Sequence, residues 1–127
     1  MMIDWRCWIG LPHQFGEHPS NGRGADCLIM VWAILDSVHV YHPPFDYKWL
    51  ELARAAEWEE LQTLWDAATE PAPDMEEFSV CLFENGANGL GVGIVVENGV
   101  LVVHHKRGVC WLPPRAMRES EYRRFVQ

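Results

Sequence analysis

Apolar positions recur at two different periods along this chain, and the change falls near Pro73. Before it, Leu28, Val31, Trp32 and Leu35 return every three or four residues, the spacing that gathers side chains on one helix face. Asp26 stands just ahead of them, and its carboxylate can accept the free N–H groups of a first turn. The pattern therefore predicts a buried helix that opens at Cys27. The next apolar set is Trp49, Leu52, Ala53 and Ala56, followed by Trp58, Leu61, Leu64 and Trp65. It predicts one interrupted or two short helices between the breaks at His42-Pro43-Pro44 and Pro71-Ala72-Pro73. Residues 10–24, rich in Gly, Pro and Asn, read as a loop that leads into the Asp26 helix.

Beyond Pro73 the helical period gives way to short apolar runs rich in Val at 78–83, 91–96, 100–104 and 109–112. Such runs predict strands of one antiparallel sheet. Glu97-Asn98-Gly99 joins two of them, and Asn-Gly tolerates the positive φ angles of a tight hairpin turn, so a hairpin is expected there. Pro113-Pro114 ends the fourth run, a short polar turn or helix follows, and 122–126 is expected to add a final edge strand. No repeat, linker or low-complexity tract interrupts the chain, so 1–127 reads as one α+β domain with its helices in the N-terminal half.

Composition narrows the partners. With 127 residues, 49% of them apolar, the chain can bury a core. Seven Trp are many for this length, and some are expected to serve an interface. Eighteen acidic against ten basic side chains give a net charge of −8, which disfavours phosphate backbones and anionic lipids, so no nucleic acid is expected as ligand. Residues 1–10 carry Asp4 and Arg6 without a basic segment followed by a long apolar run, and the longest apolar run, 27–35, is too short to cross a bilayer. Synthesis in the cytoplasm, with no membrane span, is the expectation. Cys7, Cys27, Cys81 and Cys110 lie far apart with no C-x-x-C pair, which argues against a zinc ribbon or structural disulfides and for mostly buried thiols. Residues 57–60 read as the solvated face of a helix, and the pairs Lys106-Arg107 and Arg123-Arg124 as hairpin-tip and edge-strand charges.

Cys27 is where chemistry is expected. A thiol on the first turn of a helix feels the positive end of the dipole and unpaired N–H groups, both of which favour the thiolate. A thiol hydrolase also needs an imidazole at the sulfur, a group that orients that imidazole, and donors for the oxyanion. His104 and His105 occupy adjacent strand positions, so their side chains are expected on opposite faces and only one of them near Cys27. His13 and His18 flank the preceding loop, but no ligand spacing accompanies them, so neither a metal nor another cofactor is expected.

Gly10-Leu11-Pro12-His13, a Gly-rich loop and then Gly24-Ala25-Asp26-Cys27 with an apolar helix behind it resemble the NlpC-type branch of papain-like cysteine peptidases. The likeness extends to the small peptidases of phage tails and gene transfer agents. These are matched by Trp8-Ile9-Gly10-Leu11-Pro12, by Pro43-Pro44-Phe45 running on to Trp49, and by Gly91-Val92-Gly93-Ile94, Asn98-Gly99, His104-His105 and Gly108-Val109. The resemblance implies a papain-like fold in which the Cys helix packs on a C-terminal antiparallel sheet. It also implies Cys27 as the nucleophile position, and either His104 or His105 as the third polar residue.

Four departures point one way. Gly91 stands where the resemblance places the catalytic His, His13 where it places a Tyr, Leu28-Ile29 where it places Ser-Gly, and Phe78-Ser79 where it places Gly-Asp. Glycine can neither accept the proton of Cys27 nor return it to a leaving amine. The resemblance thus implies a phage tail-tip or hub subunit, made in the host cytoplasm and carried in the virion tail, that docks other tail proteins on a degenerate hydrolase fold. The alternative is an active cell-wall peptidase or amidase that uses Cys27, with His104 or His105 recruited as base. A third possibility is a module that holds peptidoglycan peptide without cutting it.

Overall fold

Asp26 ends the loop before it. Its Oδ1 accepts the backbone N–H groups of Leu28 at 2.9 Å and Ile29 at 3.3 Å, and helix α1 (Cys27–Ser37) starts from that cap, as the sequence predicts. The computed structural model describes residues 3–86 and 89–127. The second apolar set forms two helices rather than one, α2 (Tyr47–Arg54), capped by Asp46, and α3 (Trp58–Ala68). Both α1 and α2 end on a left-handed residue that is not glycine. His39 (φ 57°) lets Val40 N–H reach back to Leu35 O at 3.2 Å, and Ala56 (φ 56°) lets Glu57 N–H reach Leu52 O at 2.9 Å. These crossing bonds satisfy carbonyls that a helix end leaves open.

Six strands follow: β1 (Thr69–Pro71), β2 (Val80–Glu84), β3 (Leu90–Val96), β4 (Gly99–His104), β5 (Gly108–Leu112) and β6 (Glu121–Phe125). They form a single antiparallel sheet in the order β1-β6-β2-β3-β4-β5. The four central runs fall where the sequence places them. The last one corrects an expectation: β6 is an interior strand between β1 and β2, not an edge, because Thr69-Glu70-Pro71 extends past α3 and pairs with it. Arg123 and Arg124 therefore tie two strands together. Arg123 donates to Thr69 Oγ1 at 2.6 Å and Arg124 to Glu70 Oε1 at 2.8 Å.

The expected β3–β4 hairpin forms one residue earlier than Asn-Gly suggests. Glu97 (φ 50°) and Asn98 (φ 60°) make the turn, and Gly99 is already on the strand opposite Val96. A Cβ at Gly99 would meet the ring of Trp111 at 2.2 Å, and the Trp111 indole N–H donates to Val96 O at 2.9 Å. Glycine at 99 thus makes room for an aromatic ring laid across the hairpin.

One face of the sheet packs on the helices through Val80, Leu82, Val92, Ile94, Val96 and Leu101. The other packs Cys81, Val95, Val100, Val102 and Tyr122 against Met75 and Met117. Tryptophan is used mainly inside. Trp5, Trp8, Trp32, Trp49 and Trp65 are buried, and Trp32, Trp49 and Trp65 contact one another edge-on or tilted, with Phe125 against Trp32 and Trp65. Trp58 is half-buried, and Trp111 is the most exposed of the seven at 38%. No described helix is long and apolar enough to cross a membrane.

Candidate active site

Two backbone contacts fix the loop that faces Cys27. Gly10 N–H donates to Val109 O and Val109 N–H to Leu11 O, both at 2.8 Å, so the segment before Pro12 is stitched to the start of β5. Gly108 makes this approach possible. Its φ is +73°, and a Cβ there would sit 2.1 Å from the Leu11 carbonyl oxygen. Farther on, Ala25 N–H donates to Pro12 O at 2.9 Å and Gln14 N–H to Ala25 O at 3.0 Å. The loop closes on Asp26, whose Oδ2 accepts Gly16 N–H at 3.0 Å. A single buried carboxylate therefore holds both the helix start and the loop.

Cys27, His13 and His105 line one cleft of about 420 Å³ between α1, the α2–α3 corner and the β3–β4 end of the sheet. His104 does not line it and instead borders a second hollow that shares Phe83, Asn85 and Leu90 with the cleft. Along β4, Leu101 and Val103 pack on the helix side and Val100 and Val102 on the other. The expected separation of the rings does not hold, however. They stack at 4.6 Å, since β4 ends at His104 and His105 is already in the turn. His104 Nδ1 accepts the N–H groups of Lys106 at 3.0 Å and Arg107 at 3.1 Å, so it organises the β4–β5 turn. Desolvation, the neighbouring His105 and the cations Arg107 and Lys106 lower its pKa. His18 is also elsewhere, with Nδ1 bonded to Ser20. Among the described residues no three His, Cys, Asp or Glu side chains group so as to hold a metal ion.

Gly91 touches the cleft, but its absent side chain would not point at Cys27. It pairs directly with Phe83, and a Cβ at 91 would meet the Phe83 ring at 2.2 Å. Phe83 packs with the far layer, whereas the helix-facing residues of β3 are Leu90, Val92 and Ile94. The glycine is thus not itself the gap in the machinery. The strand positions that do face the helices carry aliphatic groups, and β3 brings no imidazole to the thiol.

The thiol itself corrects the expectation of a thiolate. Cys27 is half-buried, and the protein atoms around it desolvate the sulfur. With the charge of Asp26 adding to this effect, the pKa is pushed up to about 12, although the N–H groups of Leu28 and Cys27 pull it down. The helix terminus does not prevail because its cap is anionic. Asp26 accepts the Leu28 and Ile29 N–H groups and brings its negative charge to the thiol. The other thiols are more varied than expected, with Cys81 buried, Cys110 half-buried and Cys7 exposed; all four are free. No protein-family model and no curated protein matches the chain.

Several cleft residues carry no sequence signal. Arg54 is the last residue of α2, donates to Phe15 O at 3.4 Å and lies over the Phe15 ring at 5.6 Å. Phe15 in turn meets the His13 ring edge-on at 4.8 Å. Only the apolar stripe of α2 beside Arg54 hinted that this helix corner faces a site.

Proposed function

We propose that this chain is an NlpC-type, papain-like domain that keeps the nucleophile helix and cleft without working proton transfer, and that it serves as a structural subunit of a phage tail tip or hub. The observation that carries the loss of chemistry is the state of Cys27. It is a neutral thiol under an anionic cap, facing aliphatic residues of β3 where a base would be required. Phe78 holds a left-handed φ of 62° at the position where the family pattern has glycine, while Gly91 departs from the pattern in the direction its side chain would take. The motif segments also have structural work here: Gly10 and Leu11 join β5, and Pro43 O accepts the Trp32 indole N–H at 2.8 Å. Such contacts sustain a fold regardless of catalysis.

A second reading, hydrolysis with His13 or His105 recruited as base, is favoured by the presence of both in the Cys27 cleft. Purified protein incubated with peptidoglycan separates the two. The expected result is no release of stem-peptide fragments and no difference between the native chain and Cys27→Ala, while antibody to the chain labels assembled tails. Fragment release that disappears in Cys27→Ala, or absence of the chain from tails, would count against the structural reading.

A further inference from the structure

The cleft is electrostatically unlike the rest of the molecule. The chain carries eighteen acidic residues and a net charge of −8, yet no Asp or Glu lines the cleft. Among the described residues its polar wall consists of Arg54, His13, His105 and Asn85 with the Cys27 thiol, and the others lining it are apolar. Arg54 is exposed and makes no ion pair among the described residues; its guanidinium donates to the Phe15 carbonyl and lies over the Phe15 ring. Behind this rim stand Trp58, Leu61, Phe83 and Leu90. Trp65, fully buried, closes the wall behind them.

We infer that the cleft reversibly binds a small organic acid, with an aliphatic or aromatic body in the apolar interior and a carboxylate at Arg54 and the neighbouring imidazoles. The volume of about 420 Å³ falls in the lower part of the range of small-molecule sites, roughly 300–1,000 Å³. Guanidinium is suited to a carboxylate because its planar fork donates two parallel bonds. A cation would meet no compensating charge in the wall, so the site discriminates by sign. This inference goes beyond the tail-subunit reading and does not depend on whether Cys27 reacts.

Octanoate, octanamide and octylammonium test it, because they share one body and differ in charge. Titration calorimetry of the full chain, with Trp fluorescence as a second readout, is expected to give saturable one-to-one binding of octanoate at least tenfold tighter than of octylammonium. In Arg54→Gln, octanoate should lose its advantage over octanamide and octylammonium, while the circular dichroism spectrum is native. Absence of saturable binding, equal affinity for the anion and the cation, or an unaltered octanoate affinity in Arg54→Gln would each overturn the inference.

Discussion

Gly108→Ala, at the buried start of β5, is expected to destabilise the protein by about 3–5 kcal/mol. Two costs combine at this residue. A φ of +73° is disfavoured for any side chain, and the added carbon would lie 2.1 Å from a backbone oxygen, that of Leu11, which cannot swing aside as a side chain can. The chain can relieve the overlap only by releasing the Gly10–Leu11 segment from β5. Hydrogen exchange should then show lost protection at the Gly10 and Val109 amides, which bond across this junction. Chemical denaturation gives the magnitude. A loss below about 1 kcal/mol with both amides still protected would mean that the junction does not anchor the His13 loop.

Asp26→Ala ranks next, at about 3 kcal/mol. The carboxylate is buried and accepts three N–H groups, from Leu28, Ile29 and Gly16. Removing it leaves three donors without their acceptor, where a typical cap is worth about 1 kcal/mol and a buried unsatisfied donor costs about 1–3 kcal/mol. Asp26→Asn retains one oxygen for the helix and is expected to lose less. It also removes the charge that helps to raise the Cys27 pKa, so the thiol should ionise at lower pH in that variant. Denaturant midpoints together with thiol titration check both parts. Equal stability of the native chain and Asp26→Ala would show that the cap does not hold the loop and helix together.

Much of the architecture was legible because it rests on local chemistry. The cap at Asp26, the stripe on α1 and the Val-rich runs each encode their own conformation. Helix ends were harder to read, since His39 and Ala56 take the left-handed positions that glycine usually marks. The three-residue β1 gave no periodicity to detect, and without it β6 looked like an edge with free charges. Tryptophan abundance did not reveal that Trp32, Trp49 and Trp65 interlock in one core, because that depends on how α1, α2 and α3 meet.

The site was legible in position and less so in state. Cys27 at the helix start follows from capping, whereas His105 reaches the cleft from the turn just past the end of β4, a place that residue order alone does not give. The face of Gly91 was fixed only by its pairing with Phe83. The sign of the helix dipole favoured a thiolate, but burial and the charge of the capping Asp26 raise the Cys27 pKa more than the Leu28 and Cys27 N–H groups lower it. Those are properties of three-dimensional crowding, invisible in residue order.

The rate of iodoacetamide alkylation at Cys27, followed by peptide mapping from pH 6.5 to 9.5, bears most directly on the claim that this cleft holds an unactivated thiol. With a pKa of about 12, the thiolate fraction near neutral pH is on the order of a thousandfold below that of an ordinary cysteine, since each unit is a factor of ten. The account predicts slow labelling that rises about tenfold per pH unit with no plateau across the range. Fast labelling that levels off below pH 8, the signature of a thiolate paired with an imidazolium, would contradict it.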